Sequence, residues 1–181
     1  MYRHHRGKKT ILSKKYLILV VVFCVVLFFD QITKAYVNRT LYKFQSVEIV
    51  KNFFHITHVR NTGAAFGFLA GPTHPLRTIL FVIISLTAIG VILLLYWRIE
   101  DDDTLHALAF SFLLGGAMGN LIDRIWIGQV IDFLDFHWYN HHWPAFNIAD
   151  SAICGGIGLI LLNMVMGARR SPLGGKAMDR E

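Results

Sequence analysis

The amino-acid sequence predicts an all-α membrane protein in which four transmembrane helices carry a small extracytoplasmic β-sheet between the first and the second. Apolar residues make up 54% of the 181-residue chain and charged residues only 17%. The apolar residues fall in long uninterrupted runs, the pattern of a bilayer protein rather than of a soluble core. Four runs approach the length that crosses a hydrocarbon layer about 30 Å thick at roughly 1.5 Å per residue. A third observation orients them. Arg3, Arg6, Lys8, Lys9, Lys14 and Lys15 crowd the N-terminal tail, and Arg169, Arg170, Lys176 and Arg180 the C-terminal one. An even number of spans puts both termini on one side, and the excess of Lys and Arg marks that side as cytoplasmic. The expected organisation is a single polytopic domain over residues 1–181.

The first span is expected at about 16–37; its core, YLILVVVFCVVLFF, is ended by Asp30 and Lys34. A basic region followed by an apolar run also fits a secretory signal. No small-x-small cleavage site follows in FFDQITKAYV, so the span is expected to be retained. The second span, about 76–97, has no charge from Thr78 to Trp97 and closes on the interfacial pair Tyr96 and Trp97 before Arg98. The third is expected at about 105–122 and the fourth at about 146–166. The acidic run Glu100 to Asp103 falls in the inner loop, which is compatible with the orientation because Lys and Arg decide it. Cys24 and Cys154 both sit inside spans and read as small buried hydrophobes, not as a disulfide framework. The net charge of +6 reflects the tails. The basic residues flank spans without forming a patch, so no nucleic-acid partner is expected.

The polar chemistry lies in the two outer connections. The first runs from 38 to 75, and its segment from about 43 to 60 contains SVEIVKNFFHITHVR, rich in Val, Ile, Phe and Thr with a turn at Lys51 and Asn52. That composition predicts a small sheet lying at the membrane surface. Asn61-Thr62-Gly63-Ala64-Ala65-Phe66-Gly67 follows, pairing an amide and a hydroxyl with small residues that allow close approach of the backbone. The second connection, Asp123 to Ala145, carries Asp132, Asp135, His137, His141 and His142, with Trp126, Trp138 and Trp143 suited to an interface.

Carboxylates in or beside spans are costly in a bilayer and usually mark a site. The first and third spans run outward and the fourth runs inward, so Asp30, Asp123 and Asp150 share the outer half of the membrane. Asn120, Asp123 and Arg124 stand at i, i+3 and i+4, and Asn147, Asp150, Ser151 and Cys154 make another single face. Gly115, Gly119, Ala152 and Gly156 would let the third and fourth helices pack closely. Asp30 has Lys34 at i+4, and Asp123 has Arg124 beside it, so for these two acids charge compensation that lets a helix end sit at the interface competes evenly with a direct chemical role. Asp150 has no basic residue within a turn, and that makes it the sharpest candidate. Asp132, flanked by Val130, Ile131 and Phe133, competes evenly with Asp123 as its partner.

Two close acids in a low-dielectric cleft share a proton and present one general base and one general acid. A water between them can attack an amide carbonyl without a covalent intermediate or a metal. Ser151 and Cys154 lack a histidine in the fourth span to activate them. A proton-coupled transporter would need acids continuing into the inner halves of the spans, and none is evident. A metal-dependent hydrolase using His137, His141 or His142 with Asp135 lacks a helical H-E-x-x-H arrangement. A scaffold binding other spans through small-residue faces is a third alternative.

Five motifs in order, Asp30-Gln-Ile-Thr-Lys34, Asn61-Thr-Gly-Ala-Ala-Phe66, Gly119-Asn-Leu-Ile-Asp-Arg124, Val130-Ile-Asp-Phe133 and Phe146-Asn-Ile-Ala-Asp-Ser151, resemble those of bacterial lipoprotein signal peptidase, signal peptidase II. They span most of the chain between the tails. The resemblance implies an aspartyl endopeptidase of the bacterial cytoplasmic membrane that removes signal peptides from diacylglyceryl-modified prolipoproteins, before the lipidated cysteine. It implies Asp132 and Asp150 as the catalytic dyad, with Asn120, Asp123, Arg124 and Asn147 in support. It also implies that Asn61 and Gly63 contact or shape the substrate path and that Asp30 and Lys34 order the rim. Expected partners are prolipoprotein substrate and membrane lipid, with the chain a monomer and no cofactor or metal. Ile131 stands where the family often has Val, a conservative change, and His137 to His142 lie outside the motifs and read as interfacial variation.

Overall fold

The computed structural model describes residues 13–63, 71, 74–139 and 141–170. The tail cations Arg3, Arg6, Lys8, Lys9, Lys176 and Arg180, and the stretch Ala64-Ala65-Phe66-Gly67, lie outside the described residues. In chain order the elements are α1 (Lys14–Thr40), β1 (Ser46–Val50), β2 (Phe54–Asn61), α2 (Pro75–Arg98), α3 (Thr104–Ile127), β3 (Val130–Trp138), β4 (His141–His142) and α4 (Ile148–Arg170). All four helices are long and apolar enough to cross a membrane. Their surfaces are inverted relative to a soluble bundle. Val20, Val21 and Phe28 of α1, Ile83 and Leu94 of α2 and Leu161 of α4 are exposed, while Asp30, Lys34, Asn120 and Asp123 are buried. Polar groups turned inward under an apolar exterior are what a hydrocarbon solvent selects.

Local chemistry sets the helix ends. At the start of α2, Pro75 occupies the first turn, where its missing N–H costs nothing, and His74 accepts from the Leu76 N–H. Asp103 caps α3 by accepting from the His106 N–H at 3.1 Å, and Asp101 pairs with Lys15 at 2.9 Å. The acidic run between α2 and α3 thus fastens α3 and the start of α1. At its other end α3 stops at Gly128, whose φ of 70° is left-handed. The helix is longer than its apolar stretch predicted. Asp123 and Arg124 are therefore inside α3 rather than the opening of the outer connection, because helix hydrogen bonding continues past the last apolar residue until that glycine.

Half of the most apolar stretch of α3 is buried, against 11% in α1 and α2 and 17% in α4, so α3 is the central helix. Missing side chains let its neighbours approach. A Cβ at Gly116 would meet the Ala149 carbonyl, and one at Gly156 would meet the Ala109 carbonyl, so these two glycines seat α4 on α3. Gly115 faces Val26 of α1 instead of α4. Cys24 and Cys154 are free and exposed on helix surfaces, not buried as expected, since an apolar exterior accepts a thiol as readily as an interior does.

The sheet has the order β1-β2-β3-β4, antiparallel throughout. Its β1–β2 hairpin lies between α1 and α2 as predicted, turning at Lys51 and Asn52, and Asn52 takes the left-handed φ of 58° that asparagine tolerates. The second of the two long connections, for which the sequence predicts no strand, supplies β3 and β4 and extends the same sheet. Its two aspartates disfavour a strand by propensity, and pairing with β2 overrides them. Ile131 and Phe133 of β3 pack on Val37 near the end of α1, which ties the sheet to the bundle.

Candidate active site

Every candidate site residue named from the sequence joins one continuous hydrogen-bonded network where the sheet meets the C-terminal halves of α1 and α3 and the start of α4. It is built around a fully occupied ammonium. Lys34 Nζ lies 2.8 Å from Asp30 Oδ2, 3.1 Å from Asp123 Oδ2 and 2.9 Å from Asn120 Oδ1, so each of its three hydrogens has an acceptor. Asp30 and Lys34 are 0% and 2% exposed, and such a pair is tolerable in an apolar setting only with this degree of satisfaction. Asp123 pairs with Lys34 and not with its sequence neighbour Arg124, because adjacent helix positions face different sides. Arg124 instead donates to the carbonyls of Asn120 at 3.2 Å and Gly63 at 3.3 Å, and it stacks on Phe81.

Two of these acids hold backbone rather than only charge. Asp30 Oδ1 accepts from the Ala149 N–H at 2.9 Å, in the first turn of α4, where the helix dipole favours a carboxylate. Asp123 Oδ2 accepts from the Ile131 N–H at 3.1 Å and so pins the start of β3. Asp30 thereby fixes the element that carries Asp150, and Asp123 the one that carries Asp132.

Asp150 sits in a reciprocal cap. Asn147 Oδ1 accepts from the Asp150 N–H at 2.9 Å, while Asp150 Oδ2 accepts from the Asn147 N–H at 3.3 Å. This is a capping box, and the Asn-x-x-Asp spacing that announces it is present in the sequence, where the same spacing also fits one face of a helix. Asp150 Oδ1 accepts from Asn120 Nδ2 at 2.8 Å, so the charge that lacked a basic neighbour is met by amides and a helix N-terminus. Asn147 also reaches the other acid. Its Nδ2 donates to Asp132 Oδ1 at 2.7 Å, with the Ile131 carbonyl and Asn120 Oδ1 each at 3.2 Å.

Asp132 is 2% exposed on β3. Its second oxygen accepts from Asn61 Nδ2 at 3.0 Å, and Asn61 Oδ1 in turn accepts from the Gly63 N–H at 2.8 Å. A bulge makes that contact possible. Between the pairs Ile56↔Leu134 and Val59↔Asp132, β2 spends one residue more than β3. The slip brings Val59 and Asn61 onto the face of Asp132 and turns His58 and Arg60 to the opposite face. There His58 bonds the Leu41 carbonyl at 2.9 Å and receives Arg60 Nε at 3.1 Å, fastening β2 to the end of α1. Sequence reading carried no signal for the bulge. Asp132 lies outside the spanning helices, and its carboxyl is pushed up to about 7, first by burial and then by the charge of Asp150; hydrogen bonds from Asn61 and Asn147 and the charge of Lys34 oppose the shift. One acid is thus poised near neutrality beside another, the requirement for a pair that both gives and takes protons.

The histidines form a separate group on the sheet. His142 Nδ1 bonds Asp135 at 2.9 Å, and the His137 ring stacks on His142 with centroids 4.7 Å apart. Among the described residues no group of three or more His, Cys, Asp or Glu is arranged to hold a metal ion.

Known proteins resemble the chain over most of its length. The family model for Signal peptidase (SPase) II matches residues 22–166. A lipoprotein signal peptidase of Geobacter metallireducens is 45% identical over 159 residues, covering 88% of this chain and 97% of its own. One of Pseudomonas fluorescens is 43% identical over 146 residues, covering 80% and 85%. A bacterial membrane enzyme solved by the in meso method at 2.3 Å resolution superposes with a TM-score of 0.76 at 32% identity, over 94% of this chain and 99% of that one. With the motifs, the four spans and these matches in agreement, the chain belongs to the signal peptidase II family.

Proposed function

We propose that Asp132 and Asp150 form an aspartyl dyad that hydrolyses the bond joining a signal peptide to the diacylglyceryl-modified cysteine of a prolipoprotein. Family membership makes the chain a protease that removes signal peptides from prolipoproteins in the bacterial inner membrane. The observation that carries the dyad reading is the Asn147 tether: one residue caps the helix of Asp150 and donates to Asp132, so the two acids are held by the same group. The position of the Asp132 carboxyl near 7 supports giving it the shared proton.

The reaction then balances without further groups. Asp150 takes a proton from a water as the water oxygen attacks the amide carbonyl, and Asp132 gives its proton to the carbonyl oxygen, leaving a neutral diol. In the collapse, Asp132 takes a proton from one diol hydroxyl as the carbonyl reforms. Asp150 gives its proton to the departing nitrogen as the C–N bond breaks, and the dyad returns to its starting state. Carboxyl groups make every proton transfer, so the reading is metal-independent. Asn61 and Gly63 shape the substrate path, and Arg124, holding the Gly63 carbonyl, keeps that path against α3. Asp30, Lys34, Asn120 and Asp123 act through the elements they anchor.

On this reading the single polytopic domain works as a monomer with both termini cytoplasmic and the dyad toward the outer face. Acyl chains of the substrate lie among membrane lipid between helices, and no nucleic acid takes part. The test is cleavage of a diacylglyceryl-modified precursor by purified protein in detergent containing a chelator, with the product identified by mass. A cut immediately before the modified cysteine, with the unmodified precursor left intact, is the expected result. Cleavage abolished by the chelator and restored by zinc would overturn it.

A further inference from the structure

We propose that Gln31 is a positioning residue that sets the spacing of the two acids by bracing Asp30 against Asp123; this role rests on the dyad reading above. The Gln31 Nε2 lies 3.0 Å from Asp30 Oδ2, 3.2 Å from the Gly119 carbonyl and 3.4 Å from Asp123 Oδ1. All three neighbours are acceptors, so the amide nitrogen and not its oxygen must face them. The two acids it bridges have distinct attachments. Asp30 holds the Ala149 N–H in the first turn of α4, one residue before Asp150, and Asp123 holds the Ile131 N–H on β3, one residue before Asp132.

The distance between Asp30 and Asp123 is therefore transmitted to the distance between the two acids of the dyad. Lys34 bridges the same pair, but as a flexible stem ending in a point charge. Electrostatic attraction alone draws both carboxylates toward the ammonium with little directional demand. The Gln31 amide is planar and shares its two hydrogens among the three acceptors, with Asp123 the longest contact, and the Gly119 carbonyl ties the brace to the backbone of the central helix. Gly119 leaves room for this by lacking a Cβ, which would run into the Asp30 carboxylate.

Two variants separate this role from mere packing. Gln31→Met keeps the volume and removes the donor, and Gln31→Glu keeps the shape but turns a carboxylate toward two others. The kinetics of each are measured per folded enzyme across pH, alongside Asp132→Asn and Asp150→Asn. The expected result is that Gln31→Met lowers kcat roughly ten- to hundredfold with KM little changed, since a misplacement of about 1 Å is enough for such a loss. Its pH limbs also move relative to the parent. Gln31→Glu is lower still at neutral pH and recovers in part on acidification, when its protonated carboxyl regains a donor. Unchanged kcat and unchanged pH limbs in Gln31→Met, with both aspartate variants inactive, would overturn the brace while leaving the dyad intact. Activity in either aspartate variant would sink the dyad and the brace together.

Discussion

At the scale of single residues, burial and amide chemistry divide the labour between two acids of one type. Asp132 is almost fully enclosed and Asp150 sits at the mouth of a helix, and the same asparagine contacts both. The raised Asp132 carboxyl has a consequence for stability. The folded chain holds that proton up to about 7, whereas an ordinary carboxyl releases it near 3.8. The stabilising contribution is therefore complete below the unfolded value and is lost as pH rises through the folded one. Asp132→Asn is thus expected to raise the thermal midpoint relative to the parent at pH 8, with the advantage shrinking steadily toward pH 4. A pH-independent difference would contradict it. If the proposed dyad shares this proton, the kcat/KM profile has an alkaline limb near 7, a property of the pair and not of either acid alone.

At the scale of elements, the spans and the first hairpin were legible because length, apolar runs and turn residues act locally. The ten candidate site residues are nameable because the motifs that carry them stand in the sequence; their connections are not. Nothing near Asp123 announces that it holds the Ile131 N–H, and nothing near His58 announces the bulge that brings Asn61 to Asp132. Strand β3 is hidden for the same reason, since its pairing partners on β2 lie 69 or more residues away in the chain. Gln31 stands inside the Asp30–Lys34 motif yet carries no signal of its own, because its partners lie on α3. Close packing of these elements gives a stability prediction. Gly119→Ala drives a Cβ into the Asp30 carboxylate, and overpacking of this kind costs roughly 1–3 kcal/mol. A lowered thermal midpoint with cleavage impaired beyond the loss of folded protein is expected; a fully active, equally stable variant would show that the approach of α1 to α3 is looser than described.

At the scale of the whole molecule, the inverted surface places polar machinery inside an apolar shell, and one end of the bundle carries the sheet. Tail charge sets the expected orientation, with the β1–β2 turn outside and the α2–α3 connection inside. With Cys24 and Cys154 replaced by serine, Lys51→Cys should react with a membrane-impermeant maleimide on spheroplasts. Asp102→Cys should react only after permeabilisation. The reverse pattern would place the dyad on the cytoplasmic side and remove the proposed route to exported precursors. Under the proposed function, a site at the outer boundary would meet the three needs of the reaction: water, a proton-sharing pair and a lipid-anchored substrate.

The most direct measurement compares Asp132→Asn, Asp150→Asn and Asp123→Asn in the same cleavage assay, each variant first shown to be folded. The account predicts no detectable turnover for the first two. It predicts a residual rate for the third, about ten- to hundredfold below the parent, as fits a residue that positions a strand. Full activity in Asp132→Asn or Asp150→Asn would contradict the dyad.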